Sequence, residues 1–267
     1  TNSFAADSNE FPILARPFYD VVLDDESSDV VAYPGESNGR ILAEANSDVG
    51  GFDVFLRRLV YEDACRRVDF FGGYQYSRID ESLAIYSDRV VTRTVGGSLP
   101  FGTEIDVFDS FDASNTFSGG AIGLMAEYDR GPVTWHLLAK VGLGNMKQTV
   151  DISGGTIIDV PGDPLDIRNG GLLALPTNIG SYSQSVFAVS PELDIKMAYH
   201  VNDCIDITAG YSFVFWNKVA VAADQVDLGV NTTQLDGPLI GAPRPSFPFA
   251  TSDYFVHGFS VGLNWYY

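Results

Sequence analysis

Alternation with a period of two runs through most of this chain. At residues 254–267, Phe255, His257, Phe259, Val261, Leu263, Trp265 and Tyr267 share one face, and Gly258, Ser260, Gly262 and Asn264 share the other. Successive side chains of a strand point to opposite faces, so this stretch reads as a strand with one apolar face and one small, polar face. Six more long strands are predicted by the same rule: 39–61, 66–85, 117–129, 133–144, 182–200 and 205–215. Their apolar rows include Phe52, Val54 and Leu56, then Val68, Phe70 and Tyr74, then Trp135, Leu137, Val141 and Leu143. Beyond Arg78 the apolar phase switches to Ile79, Leu83 and Ile85, which predicts a bulge or an exit from the buried zone. Shorter candidates, 17–23 and 29–33, flank an acidic turn at 24–28. No helical periodicity persists over a dozen residues.

Two regularities choose between a soluble sheet and a membrane barrel. Short turns at 62–65, 129–132 and 201–204 alternate with long Gly-, Pro- and Asp-rich connections at 87–107, 153–180 and 224–251. Outer-membrane barrels show this asymmetry. The second regularity is the content of the polar faces: Asp53, Arg57, Asp69, Glu127, His136, Lys140, Glu192, Asp194, Lys196 and Asp206. Burying that set in an apolar pocket is costly, whereas a wet or salt-bridged lumen accepts it. Phe255, Phe259, Val261, Leu263 and Trp265 then face lipid, and Tyr128, Trp135, Tyr199 and Trp265 form an aromatic rim near the short turns.

The expected fold is therefore all-β: an antiparallel, transmembrane, up-and-down β-barrel of about eight strands in one domain spanning 1–267. Residues 39–267 supply the barrel strands and loops. Residues 1–38 form an N-terminal segment, in which 11–34 is the candidate eighth strand. Strands 39–61 and 254–267 run in the same direction, so they cannot close the barrel antiparallel to each other. Either 11–34 intervenes, or this is a fragment of a larger barrel with strands preceding Thr1. The expected location is the bacterial outer membrane; residues 1–267 themselves include no signal peptide, which does not bear on export. Expected partners are membrane lipid and the barrel-insertion machinery, reached through the aromatic C-terminal strand.

Composition narrows the chemistry. The net charge of −19 argues against a nucleic-acid surface, and no apolar run approaches the roughly 18 residues of a membrane helix. Cys65 and Cys204 form no metal motif and are expected to stay unpaired. His136, His200 and His257 are too scattered for a metal centre, and His136, Lys140 and Glu127 read as a salt-bridge network rather than an acid–base pair. Gly96-Gly97 and Gly154-Gly155 lack the strand–turn–helix context of a phosphate loop. No catalytic residue, metal site or cofactor is assigned. Two acidic runs expected in external loops offer weak Ca²⁺ or Mg²⁺ sites: Glu104, Asp106, Asp109 and Asp112, and Asp151, Asp159, Asp163 and Asp166. The function expected is a structural, surface-exposing protein or a narrow porin-like channel; the competing class is a soluble, lipocalin-like ligand-binding barrel.

Four segments add a resemblance: ILARPFYDVV (13–22), VVAYPG (30–35), SDVGGFDVFLRRL (47–59) and CRRVDFFGGYQYSRIDESLAI (65–85). They resemble the planctomycete family of porin-like outer-membrane β-barrel proteins, closely over 13–87 and more loosely beyond. The resemblance implies an outer-membrane barrel without a catalytic role. Two departures stand out: members usually carry further aromatic-rich strands ahead of the ARPF segment, and often a cysteine cluster where this chain has Cys65.

Overall fold

The computed structural model describes residues 2–93 and 99–265; Gly96-Gly97, Tyr266 and Tyr267 lie outside the described residues. In chain order the strands are β1 (Asn2–Asp7), β2 (Leu14–Asp20), β3 (Asp25–Ala32), β4 (Ser37–Glu62), β5 (Arg66–Val91), β6 (Glu104–Arg130), β7 (Val133–Asp159), β8 (Asp166–Asn169), β9 (Gly180–Asn202), β10 (Ile205–Val219), β11 (Gly229–Val230) and β12 (Ser252–Trp265). A single helical turn, α1 (Thr233–Asp236), lies between β11 and β12.

The main sheet is an antiparallel meander in the order β1-β4-β5-β6-β7-β9-β10-β12, with β8 added to β7. Its short turns are locally encoded. The Asp63 and Asn202 side chains accept the backbone N–H groups of Cys65 and Cys204, both at 2.9 Å. Gly131 sits at φ 61°, which a residue without Cβ adopts at no steric cost. Concave-face glycines let strands approach closely. A Cβ on Gly73 would lie 1.9 Å from the Val54 carbonyl, and Gly119 and Gly144 face each other across β6 and β7 with no room for side chains.

Contacts between strands that are not neighbours show the sheet to be rolled. Lys140 of β7 reaches Asp53 of β4, the Trp216 indole of β10 donates to Ser77 of β5 at 2.9 Å, and Ser47 of β4 meets Tyr254 of β12 at 2.7 Å. These side chains define the concave face. The roll is not closed by backbone pairing: β4 and β12 share no ladder among the described residues.

Three expectations need correction. Residues 11–34 do not supply the eighth strand of the meander. β2 and β3 pair with each other, and β2 with β11, as a separate three-stranded sheet. The strand that joins β4 is β1, in a stretch without apolar alternation. Among the described residues the strand count is twelve, nine of them in the main sheet, rather than about eight. Finally, the connection expected at 87–107 is shorter, because β5 runs to Val91 and β6 begins at Glu104.

The phase switch at Arg78 is an exchange between faces and not a bulge. The β5–β6 register runs unbroken from Arg66 to Val90, so there is no bulge there. Instead the two faces exchange character. On the turn side of Arg78 the convex face is apolar and the concave face largely polar, with Phe55 and Phe71 among its exceptions; on the loop side the reverse holds. From the level of Ser77 onward, Ile79, Phe111, Phe117, Met146, Val150 and Ile152 are buried on the concave face. Phe111, Val150 and Ile152 pack against Phe18, 172–175, Ala220, Ala222 and Val230, while Ile79, Phe117 and Met146 pack against Trp216 and Val219, so β2, β11 and the long connections fill the interior as a plug with its own apolar core.

Candidate functional site

The plug is fastened to the wall by buried polar groups. Asp109 on β6 is fully buried. One oxygen accepts the backbone N–H groups of Leu172, Leu173 and Ala174 at 2.9, 2.9 and 2.7 Å; the other takes the Arg16 guanidinium of β2, itself buried and reaching Ser87 of β5 at 3.3 Å. A carboxylate that receives three N–H donors and a guanidinium is well satisfied in a low-dielectric setting. Lower down, Asn115 on β6 exchanges two bonds with the Ala220 backbone, each 2.8 Å, and Gln148 on β7 donates to the Lys218 carbonyl. Sequence reasoning missed Arg16, Asn115 and Gln148. Arg16 lies in the ARPF stretch, and all three are polar residues on otherwise apolar faces, which was the available signal.

Below the plug, the predicted polar set lies on the concave face, in several separate groups rather than one. Lys140 is buried, with Nζ 2.5 Å from Asp53 and 2.7 Å from Glu192, and stands 5.4 Å from the centre of the Phe55 ring. It bridges β4, β7 and β9 across the interior. Asp69 accepts Arg57 at 2.7 Å and Arg67 at 3.0 Å; Arg67 was not singled out from sequence, though it shares the face of Asp69 two residues on. Glu127 and His136 are cross-strand partners 3.6 Å apart and half exposed. Asp194 accepts the Ser212 hydroxyl at 2.8 Å, and Lys196 lies opposite His136 and Gly210.

At the turn-side rim, Asp206 holds His200 Nδ1 at 2.7 Å, His200 Nε2 meets Thr134 Oγ1 at 2.9 Å, and the Thr134 hydroxyl donates to Asp129 at 2.5 Å. The order of residues resembles an acid–base–nucleophile relay. The proton arrangement does not fit one, because the single hydroxyl proton of Thr134 goes to Asp129 and not to the imidazole.

The convex face of the same turn-side half is an apolar belt. Phe255, Phe259, Val261, Leu263 and Trp265 all lie on it, with Val261 paired to Ala209, Phe259 to Tyr211 and Leu263 to Ile207. The row continues through Leu193 and Ile195, Leu137 and Val141, Ile122 and Leu124, Phe70 and Tyr74, to Phe52 and Val54. Aromatic residues bound it at both ends. Tyr128 pairs with Trp135 on the turn side, where the Arg66 guanidinium lies 5.7 Å above the Tyr128 ring. Phe52 stacks on Tyr76 at 5.3 Å on the other. With nine residue steps between Phe52 and Tyr61 and strands tilted by about 40°, the belt is about 20–25 Å tall.

The acidic runs expected in external loops are mostly strand residues. Glu104, Asp106, Asp109 and Asp112 lie on β6, Asp151 and Asp159 on β7, and Asp166 on β8. Alternation separates them: Asp112 and Asp151 pair on the convex face, while Asp109 is buried on the other. Among the described residues no three His, Cys, Asp or Glu side chains converge as a metal site. Cys65 and Cys204 are free and exposed in two different short turns.

The belt, the charged concave face and the meander are features of a β-barrel, and the comparison with known families agrees with them. The family model described as "Putative beta barrel porin-7 (BBP7)" matches residues 1–267. This chain belongs to that β-barrel porin family. No curated protein and no solved structure matches it. Family membership accounts for the porin-like, all-β character of the chain. No helix is long and apolar enough to cross a membrane, a statement that does not bear on strands.

Proposed function

We propose that this protein is an outer-membrane β-barrel of the bacterial surface whose lumen is plugged in the conformation described here. The observation that carries the reading is the apolar belt. Seven consecutive strands turn Phe, Tyr, Trp, Leu, Ile and Val outward and hold Lys140, Asp53, Glu192, Arg57 and Asp69 inward. A ligand-binding calyx in water needs the opposite arrangement. In lipid the belt is solvated by acyl chains, and the charged interior by water and by its own ion pairs.

Its role on this reading is to anchor and present the loop-side structure at the cell surface. Diffusion is narrow at most, because the plug packs against the wall and Lys140 bridges the interior below it. Lipid surrounds the belt, and β12 offers the aromatic C-terminal strand through which insertion machinery engages the chain. The resemblance of 13–87 to planctomycete members belongs to the same reading.

Heat-modifiable migration on a denaturing gel, with folding dependent on detergent or bilayer, is expected. A folded monomer in detergent-free buffer refutes the membrane assignment. Planar-bilayer recording tests the plug: the native protein should show no steady open level, and large, stable conductance in every insertion refutes a plugged lumen.

A further inference from the structure

Positive charge is scarce in this chain and unevenly placed. Most of its arginines hold a carboxylate. Among the described residues Arg58, Arg66, Arg93 and Arg130 form no ion pair, and three of these lie on adjacent strands. Arg58 is on β4, Arg66 on β5 and Arg130 on β6. Register puts all three on the convex face: Arg58 opposite Phe70, Arg66 opposite Tyr128, and Arg130 opposite Val133. All three are exposed.

The short turns set the closest two side by side. The Asp129 N–H donates to the Cys65 carbonyl at 2.8 Å, which ties the β4–β5 turn to the β6–β7 turn. Arg130 lies one strand over from Arg66 and two residues past its partner Tyr128, so their Cα atoms are about 8 Å apart. Two guanidinium groups at that separation can close on one phosphate, each offering paired N–H donors. Arg66 already leans over the Tyr128 ring, toward β6. Arg58 stands about 14 Å deeper, level with Phe70 and Leu124 of the belt. A long stem there covers apolar surface and carries its guanidinium toward the rim. The carboxylate in the β4–β5 turn, Asp63, is engaged by the Tyr61 hydroxyl and the Cys65 N–H. Glu62 and Asp129 lie on the concave side, opposite Arg67 and Thr134. The outward face of this rim is therefore a basic spot on a chain of net charge −19.

We propose that Arg66 and Arg130 clamp the phosphate of an anionic phospholipid in the turn-side leaflet, with Arg58 drawing the same headgroup from within the belt. The proposal rests on the membrane reading above. A lipid rather than a soluble anion fits because the spot begins inside the apolar belt and ends at Tyr128 and Trp135, the depth at which acyl chains give way to headgroups. Basic residues at that depth favour anionic over zwitterionic headgroups by about fivefold each.

The test uses the whole protein in phosphatidylcholine vesicles containing a minor fraction of acyl-brominated phosphatidylglycerol or acyl-brominated phosphatidylcholine. Bromine quenches an indole it touches. Trp265→Phe leaves Trp135 as the reporter, because Trp216 is buried in the interior. At low salt brominated phosphatidylglycerol should be preferred at Trp135 at least about tenfold, and Arg66→Gln with Arg130→Gln should bring the two lipids within about twofold. Lys147→Gln, outward on β7 beyond the belt, should leave the preference unchanged. Heat-modifiable migration shows that each variant is folded. Without the clamp substitutions, the preference should fall as salt is raised to about 0.5 M. Equal quenching by the two lipids at low salt overturns the proposal, as does a preference that survives the double variant. Inorganic phosphate that erases the preference at constant ionic strength assigns the clamp to a free anion and overturns the lipid as occupant. Absence of quenching by either lipid fails the membrane reading itself, and the proposal with it; quenching by both without preference fails the clamp alone.

Discussion

Asp109→Asn tests the attachment of the plug. The substitution is nearly isosteric and keeps an oxygen for the N–H groups of Leu172, Leu173 and Ala174, but it removes the charge that the buried Arg16 faces. Breaking a buried ion pair by deleting one partner costs about 3–5 kcal/mol. Because an acceptor is retained, the lower end applies, about 3 kcal/mol, which is roughly a hundredfold in an equilibrium constant. That loss falls on docking of 172–174 and β2 rather than on the ladders of β4 to β7, which the side chain does not support. Hydrogen exchange should therefore show the amides of Leu172, Leu173 and Ala174 opening about a hundredfold more often, with mid-strand amides of β6 and β7 unchanged. Planar-bilayer recordings of the same variant should gain intermittent openings. The double variant Arg16→Met, Asp109→Leu removes both charges and should recover most of the loss, since an apolar replacement of a buried pair is often neutral or better. If the three amides in Asp109→Asn exchange within about twofold of the native rate, the plug is not held by this pair and the reasoning fails.

Three further outcomes follow from the same structure. Val261→Arg places a charge within the belt and should cost about 2–4 kcal/mol of folding in phospholipid vesicles, read from urea titrations of the heat-modifiable band; an unchanged midpoint counts against a lipid-facing β12. Lys140→Met leaves Asp53 and Glu192 without their shared cation and should cost about 2–4 kcal/mol, less than a fully dry pair because both carboxylates keep some solvent; adding Asp53→Asn and Glu192→Gln should restore most of the loss, and a triple variant weaker than the single one rejects the bridge. Asp227, in the connection before β12, supplies a pH dependence. Burial opposes its ionisation, but the N–H groups of Ser246 and Gly229, the Arg244 guanidinium and the Ser246 hydroxyl together hold its carboxyl below the ordinary value. A lowered folded value means stabilisation that is complete above the unfolded value, about 3.9, and lost as pH falls through the folded one. Proteolytic protection of 227–246 should stay level from pH 8 to about 4 and decline below it, and Asp227→Asn should abolish that decline.

Period-two alternation is a local property, and it was enough to identify seven long strands, their short turns and the side of the sheet on which each named residue lies. Phe255, Phe259, Val261, Leu263 and Trp265 fall on one face because a strand leaves them no other choice. Lys140 falls on the opposite face to Val141 for the same reason. The inward set carried charge, and that fact alone disfavoured a dry interior. What alternation does not encode is the meaning of each face at a given height. At Arg78 the apolar phase inverts without any break in register. The inversion reflects what each face meets: an apolar belt outside and charge inside on one side of that level, plug inside and polar surroundings outside on the other. Nothing in the local pattern distinguishes such an exchange from a bulge.

Tertiary structure decided the rest, because the deciding contacts are distant in sequence. Arg16 and Asp109 are 93 positions apart, Ser47 and Tyr254 are 207 apart, and Asp53 meets Lys140 only because the sheet curls. β2 and β3 have the composition of barrel strands, yet their buried faces are used against the wall and 172–175 instead of in the ladder. β1 lacks an apolar stripe and still joins the sheet, since backbone hydrogen bonding to β4 asks nothing of its side chains. The sequence by itself determined which residues face together. Which of those faces line the charged interior, meet the plug or stay outside was set by how the strands roll up around one another.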